Sequence, residues 1–305
     1  MNRTSWTGAR AGAKKRRGSS ADERRTARLM VSPAVLLIVA VAFFPVAYSV
    51  YLSLHDASLT GVGGWVGLEN YTTIFQDPKF TGALSNTVLF TVVSVTIELV
   101  LGLGIALGLN QAFRGRGAVR TAVLLPWAFP VVVSALMWRL MLQDQVGVVS
   151  YLVHSLGLAD SPILSNRTSL LIAAILVDVW KTTPFMALLL LAGLQTMPKD
   201  IIEAAKVDGA GAVRRLFSIT LPLLKPTILV ALLFRTLEAW GVYDLFWVMT
   251  DRQLDSLSTY TFEGVRISQL DFAPGTAAAV FTFFAAVAIA LFFIKVLGAR
   301  TADEV

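Results

Sequence analysis

The sequence predicts an all-α, polytopic membrane protein with six transmembrane helices, and three observations carry that expectation. Composition is the first: of 305 residues, 55% are hydrophobic and 15% charged, with mean hydropathy +0.67. Soluble domains carry about 25% charged residues, so a water-soluble fold of this composition would leave much apolar surface in water. Distribution is the second. The apolar residues gather into blocks at about 29–54, 84–109, 119–142, 169–194, 223–249 and 275–297, each as long as the roughly 20 residues that a bilayer crossing needs. The third is the sorting of basic residues between the blocks, which sets the orientation.

Nine of the 26 Lys and Arg residues lie in the first 28 positions, with Lys14, Lys15, Arg16 and Arg17 as a run. The segment 1–28 is also rich in Gly, Ser, Thr and Ala, and reads as a disordered basic cytoplasmic tail rather than a nucleic-acid site. The block that follows exceeds the roughly 7–15 residues of a signal-peptide core and ends in Tyr51-Leu52-Ser53-Leu54 without a small-residue cleavage site. It therefore stays as the first span. The third and fourth blocks contain Pro126 with Pro130, and Pro184, where kinks are expected. Residues 29–297 form the membrane domain and 298–305 a short cytoplasmic tail.

With the N-terminus inside, 19 basic residues fall on the cytoplasmic side and four, Lys79, Arg167, Arg252 and Arg266, on the other; Arg139, Lys181 and Arg235 lie within spans. That bias places both termini in the cytoplasm. The outer connections, about 55–83, 143–168 and 250–274, carry Asp56, Glu69, Asp77, Asp144, Asp160, Asp251, Asp255, Glu263 and Asp271, an acidity that solvation accounts for. There is no Cys and there are two His, which excludes disulfides and a thiol nucleophile and disfavours a multi-His metal site. A phosphate loop ending in Gly-Lys-Ser/Thr is also missing, so the chain is expected to bind neither ATP nor another cofactor itself.

The connection at 195–222 is richer than a loop requires. Thr196 is placed to cap a short helix with Pro198 in its first turn; Lys199, Glu203 and Lys206 are spaced for charge pairs, with Ile201, Ile202 and Ala205 on the other face. Asp208-Gly209 forms a corner in which glycine takes positive φ, and a second amphipathic stretch runs from Val213 to Ile219. Two readings stay open on these residues: an interfacial pair joining two spans, or a docking surface on which small residues from Ala204 to Ala212 let another protein approach the backbone.

Each charge within a span costs about 2.5–3.5 kcal/mol unless it finds a partner or an aqueous cavity. Glu98 reads as a hydrogen-bonded structural group, Asp178 and Lys181 as a pair at i,i+3, and Arg139 as a side chain that snorkels outward. The fifth span differs, because Arg235, Glu238, Tyr243 and Asp244 occur there with Trp240 and Trp247. Carboxylates and guanidinium groups bond sugar hydroxyls and aromatic faces cover C–H surfaces, so this span reads as a sugar path with Glu238 lining it. The competing reading is an Arg235–Glu238 salt bridge that locks the helix.

Glu203-Ala204-Ala205, Asp208-Gly209-Ala210, Ile219-Thr220-Leu221-Pro222 and Lys225-Pro226 resemble the EAA signature of permease subunits of binding-protein-dependent ABC importers. Trp180-Lys181-Thr182-Thr183-Pro184-Phe185, Leu232-Leu233-Phe234-Arg235-Thr236-Leu237 and Val119-Arg120-Thr121-Ala122-Val123-Leu124-Leu125-Pro126 resemble the maltose/trehalose-type sugar permeases, above all those of actinobacterial trehalose importers. The likeness covers roughly residues 29–297. It implies the type I importer fold and a coupling helix at about 197–219, in which Glu203, Ala204, Ala205, Asp208, Gly209 and Ala210 meet a cytoplasmic ATPase dimer. It also implies a second homologous permease, an extracellular substrate-binding lipoprotein, ATP bound by partner subunits, and a place in the cell membrane, with no nucleic-acid partner. In the family, polar residues of the fifth span and an aromatic after the preceding proline contact the sugar; the matching positions are Glu238, Gly241, Phe234 and Phe185. The family pattern has amides where this chain has Glu238 and Gly241, so its bonding scheme does not carry over. An ion-coupled secondary transporter is the alternative, and it would need internal repeats and discontinuous helices.

Overall fold

A computed structural model describes residues 19–301 apart from 59, 112, 159–161 and 268–271. Two units are distinguished, Met1–Tyr48 and Ser49–Val305. The expected tail at 1–18, the end at 302–305, Asp160 and Asp271 lie outside the described residues.

The first long helix, α1, spans Ser19–Ser53. It begins ten residues before the expected span, so residues 19–28 are helical rather than disordered. Between Leu29 and Phe44 its large apolar side chains are exposed, Leu36 at 67% and Phe43 at 68%. Such a surface is stable in lipid and costly in water.

In the second unit, a hairpin of β1 (His55–Ser58) and β2 (Gly61–Trp65) precedes a short helix, α2 (Glu69–Gln76). This antiparallel pair is the one departure among the described residues from the expected all-α fold. Asp77 then caps α3 (Pro78–Asn110), accepting from the Lys79 amide at 2.8 Å while Pro78 supplies a first-turn φ that suits a helix.

The third apolar block forms two helices, α4 (Arg116–Ala128) and α5 (Val131–Leu142), bent by 87° at Phe129-Pro130. Pro130 has no amide hydrogen to continue α4, so an expected kink becomes a full break. A short α6 (Val148–Ser155) leads to α7 (Arg167–Thr196), which passes through Pro184 as one helix. Next come α8 (Lys199–Val207), α9 (Ala212–Arg215), a π-helical segment Leu216–Thr220, and α10 (Leu221–Trp240). The fifth span ends at Trp240, nine residues sooner than expected, because Gly241–Tyr243 interrupts it before α11 (Asp244–Met249). Finally α12 (Leu257–Phe262) continues as a π-helical segment, Glu263–Ile267, ahead of α13 (Phe272–Thr301). Among the described residues five helices are long and apolar enough to cross a membrane, six when the bent pair is counted as one span.

α7 is the buried centre of this unit, packed along α3 and against α4 and α10. Phe90, Leu170, Met186, Leu190 and Leu224 fill the interior. The α3–α7 approach depends on Gly102, where an added Cβ would stand 2.7 Å from the Met186 Cγ. Helices in lipid gain little from hydrophobic exclusion, so a small residue that brings two backbones together supplies dispersion contact instead.

A candidate substrate cavity and a candidate coupling loop

Three adjoining helices carry the deep charges. Glu98 lies near the middle of α3; Asp178, Lys181 and Thr182 lie on successive turns of α7; Arg235 and Glu238 are one turn apart on α10. Their side chains meet at Arg235, which is 1% exposed. Its Nε donates to Glu98 Oε2 at 2.6 Å, and Nη2 donates to Glu98 Oε1 and to Asp178 Oδ2, each at 2.9 Å. The Nη1 pairs with Glu238 Oε2 at 2.8 Å. Thr182 Oγ1 donates to the same Glu98 at 2.7 Å and sits 2.6 Å from the Asp178 carbonyl. A planar guanidinium with five fixed donors suits this arrangement, in which one cation ties three helices.

The observed pairing differs from the expected one. Asp178 pairs with Arg235 and not with Lys181, because a neighbouring helix offers a buried guanidinium at closer reach. Lys181 turns to the broken span, donating to the Phe129 carbonyl at 2.9 Å and approaching that of Trp127 at 3.5 Å. These carbonyls end α4, where no helical amide follows to satisfy them. Arg139 does reach the end of its helix, and there it pairs with Asp251 at 2.7 Å and donates to the Val248 carbonyl at 3.3 Å.

Beside the clamp is a cavity of about 260 Å³, lined by Trp127, Asp178, Lys181, Arg235, Glu238 and Tyr243 with Gly241, Asp244 and apolar neighbours. Small-molecule sites commonly occupy about 300–1,000 Å³, so this volume suits one wall of a shared site. The Glu238 side chain is 58% exposed and pairs with Arg235, so the lock and the lining role coexist in one residue. Of the expected substrate residues, Arg235, Glu238, Gly241 and Tyr243 come together here. Phe185 stands outside the lining, stacked on Trp127 with centroids 5.7 Å apart and planes 12° apart. Phe234 is exposed and is not a lining residue. Sequence reasoning missed Trp127 and the partnership of Glu98 with Arg235. The usable signal was depth: Glu98, Asp178 and Arg235 each fall near the middle of their apolar blocks in the sequence, 84–109, 169–194 and 223–249, as side chains that meet at one level would.

A second polar group lies where α3 begins. Tyr260 donates to Asp77 Oδ2 at 2.8 Å, and Lys79 pairs with Glu263 and, at 3.9 Å, with Asp255. Burial pushes the Asp255 carboxyl above its ordinary range, and the Lys79 ammonium opposes that shift.

The loop between α7 and α10 follows the expected corner with two differences. Gly209 has φ +76°, and the Asp208, Gly209 and Ala210 amides fold back on the carbonyls of Ala204, Lys206 and Ala205. Arg215 holds the turn by donating to the Ala210 carbonyl. Thr196 does not cap α8; its hydroxyl bonds back to the Gly193 carbonyl at 2.8 Å, and Pro198 occupies the cap position. The second amphipathic stretch is not a separate interfacial helix either, since residues 212–240 run on as one span. Glu203, Ala204 and Asp208 are exposed while Ala205 is buried; Ile201 and Val207 are exposed as well, so α8 presents a mixed polar and apolar surface and Ile201 is not hidden with Ala205 as expected.

Broken helices around a charged, aromatic-sided cavity define a membrane transport protein. The chain belongs to the family of binding-protein-dependent transport system inner membrane components, whose model matches residues 98–303. It is 42% identical over 288 residues to the trehalose transport system permease protein SugA of Mycobacterium tuberculosis, covering 93% of this chain and 92% of that one. It is 38% identical over 279 residues to the trehalose/maltose transport system permease protein MalF of Thermococcus litoralis, covering 90% and 94%. A bacterial ABC transporter that imports the acidic polysaccharide alginate has the same fold, with TM-score 0.77 at 24% identity over 92% of this chain and 98% of that one. The chain is thus a non-catalytic permease subunit of an importer that works with a binding protein. Family membership, and not the broken third span, decides against the ion-coupled alternative.

Proposed function

We propose that the chain forms half of the translocation pathway of an ATP-driven importer for a trehalose- or maltose-like sugar. The observation that carries this reading is the cavity in which Glu238 and Trp127 lie beside the sealed Arg235 clamp, together with close relatives named for trehalose and maltose transport. A second homologous permease supplies the facing wall, and an extracellular lipoprotein delivers the sugar. An ATPase dimer binds ATP and meets Glu203, Ala204, Ala205, Asp208, Gly209 and Ala210 at α8 and its turn. Both termini lie in the cytoplasm in this reading, which the basic-residue bias supports.

Reconstituted in liposomes with its partner permease, ATPase and binding protein, the chain should support ATP-dependent uptake of labelled trehalose or maltose. A complete, ATP-hydrolysing complex that accumulates neither sugar nor any other disaccharide of a panel would refute the reading.

A further inference from the structure

We propose that this wall of the pathway selects cargo by charge, admitting uncharged and cationic sugars and rejecting anionic ones such as uronates, sulfonates and sugar phosphates. The inference rests on the sugar-importer reading and specifies the chemical class of its cargo. Six ionisable side chains line the cavity: Asp178, Lys181, Arg235, Glu238, Tyr243 and Asp244. Both cations are committed elsewhere. Arg235 is 1% exposed and spends its Nε, both bonds of Nη2 and one of Nη1 on carboxylates. Lys181 is 7% exposed and is turned to the carbonyls of Phe129 and Trp127. Neither has the exposure to meet an anion.

The carboxylates are not committed to the same degree. Glu98, Asp178 and Glu238 share the single guanidinium, and Glu238 keeps one oxygen without a hydrogen bond among the described residues. Asp244 is exposed at the start of α11, with no ion-pair partner among the described residues. The cluster therefore holds more carboxylates than cations, with free acceptor oxygens facing the space a sugar would fill. Hydroxyl and ammonium groups donate to such oxygens; a carboxylate, sulfonate or phosphate brings a further negative charge and no donor. Glu238 and Asp244 line the cavity itself, so an anionic sugar would meet that repulsion at the distance of direct contact, where it is strongest. The common fold does not decide this property, because the alginate importer with the same architecture moves an acidic polysaccharide.

The test uses the detergent-solubilised permease–ATPase complex without its binding protein, so that the wall and not the receptor does the selecting. Labelled trehalose bound in equilibrium dialysis is competed by unlabelled trehalose, by an analogue with one primary hydroxyl oxidised to carboxylate, and by one with that hydroxyl replaced by an amine. The carboxylate should compete at least tenfold more weakly than trehalose, and the amine at least as well. In the Glu238→Gln/Asp244→Asn double variant the carboxylate penalty should shrink to threefold or less and the amine should lose its advantage. Equal or stronger competition by the carboxylate in the unmodified complex overturns the inference, as does a double variant that keeps the full penalty. No binding of trehalose, maltose or any panel disaccharide refutes the sugar reading itself, a separate outcome.

Discussion

Replacing Glu98 with Gln tests whether the buried clamp holds the membrane domain together. The change keeps shape and removes one charge, and the structure sets its cost. Glu98 is fully buried and accepts two charge-assisted bonds from Arg235, at 2.6 and 2.9 Å, and one from Thr182. Bonds to a charged group contribute about 1.5–3 kcal/mol each, and breaking a buried pair costs about 3–5 kcal/mol, so Glu98→Gln should lose about 3–5 kcal/mol. Glu238→Gln removes the charge from one ion pair on a side chain that is 58% exposed, where solvent screening holds the loss to about 1 kcal/mol or less. Thermal unfolding of the purified complex, followed by the fraction that remains monodisperse, should show Glu98→Gln far below the unmodified protein and Glu238→Gln close to it. Adding Arg235→Gln to Glu98→Gln should cost much less than Arg235→Gln alone, since the orphaned cation is then gone. If Glu98→Gln unfolds with the unmodified protein while Glu238→Gln falls, the clamp is not the structural element and the reasoning fails.

Two further outcomes follow from the same geometry. A Cβ on Gly209 meets nothing within 4 Å, so crowding inside the chain is not what that glycine avoids; its φ of +76° is. Gly209→Ala should strain the turn by about 1–2 kcal/mol and reduce ATPase stimulation by sugar-loaded binding protein about 5–30-fold, while Gly209→Asn, which tolerates left-handed backbone, retains more; equal and normal stimulation in both would exclude strain as the cause. Lys181→Met should free the Phe129 and Trp127 carbonyls and raise the KM for uptake about tenfold at unchanged complex yield, with partial rescue by Lys181→Arg, and an unchanged KM would show that the bend between α4 and α5 is held without Lys181.

Spans and corner were legible because each is a local property of the chain. Length and hydropathy mark α3, α7 and α13, and Asp208-Gly209 marks the turn through a backbone angle that glycine accepts without cost. What was not legible is pairing between helices. Asp178 has Lys181 three residues away, and a helix viewed alone puts them together; only the packing of α7 against α10 reveals that Arg235 is the nearer cation. Trp127 was hidden for a similar reason. A proline pair announces a bend, but neither its size, 87°, nor the placing of Trp127 at the cavity can be read from the local sequence. The premature end of α10 had a weak local sign in Gly241, outweighed by the apolar residues that follow it.

Both helix breaks border the same cavity, and this is the strongest physical reason to read it as the pathway. Backbone groups freed at membrane depth cost several kcal/mol each in lipid and are tolerated only where protein or water satisfies them. At the first break, between α4 and α5, the freed Phe129 carbonyl takes the Lys181 ammonium, and Trp127 and Val131 on either side line the cavity. At the second, between α10 and α11, the Val242 carbonyl takes the Ser256 hydroxyl at 2.6 Å, and Gly241, Val242, Tyr243 and Asp244 all line it. A chain whose only task was to span would have kept both helices whole, since each interruption gives up intrahelical bonds and needs a dedicated side chain in return. The interruptions place polar backbone, two aromatic rings and the exposed carboxylates of Glu238 and Asp244 around one space, beside a guanidinium too well paired to hold an anion. That combination suits a hydroxyl-rich molecule that must bind weakly enough to leave.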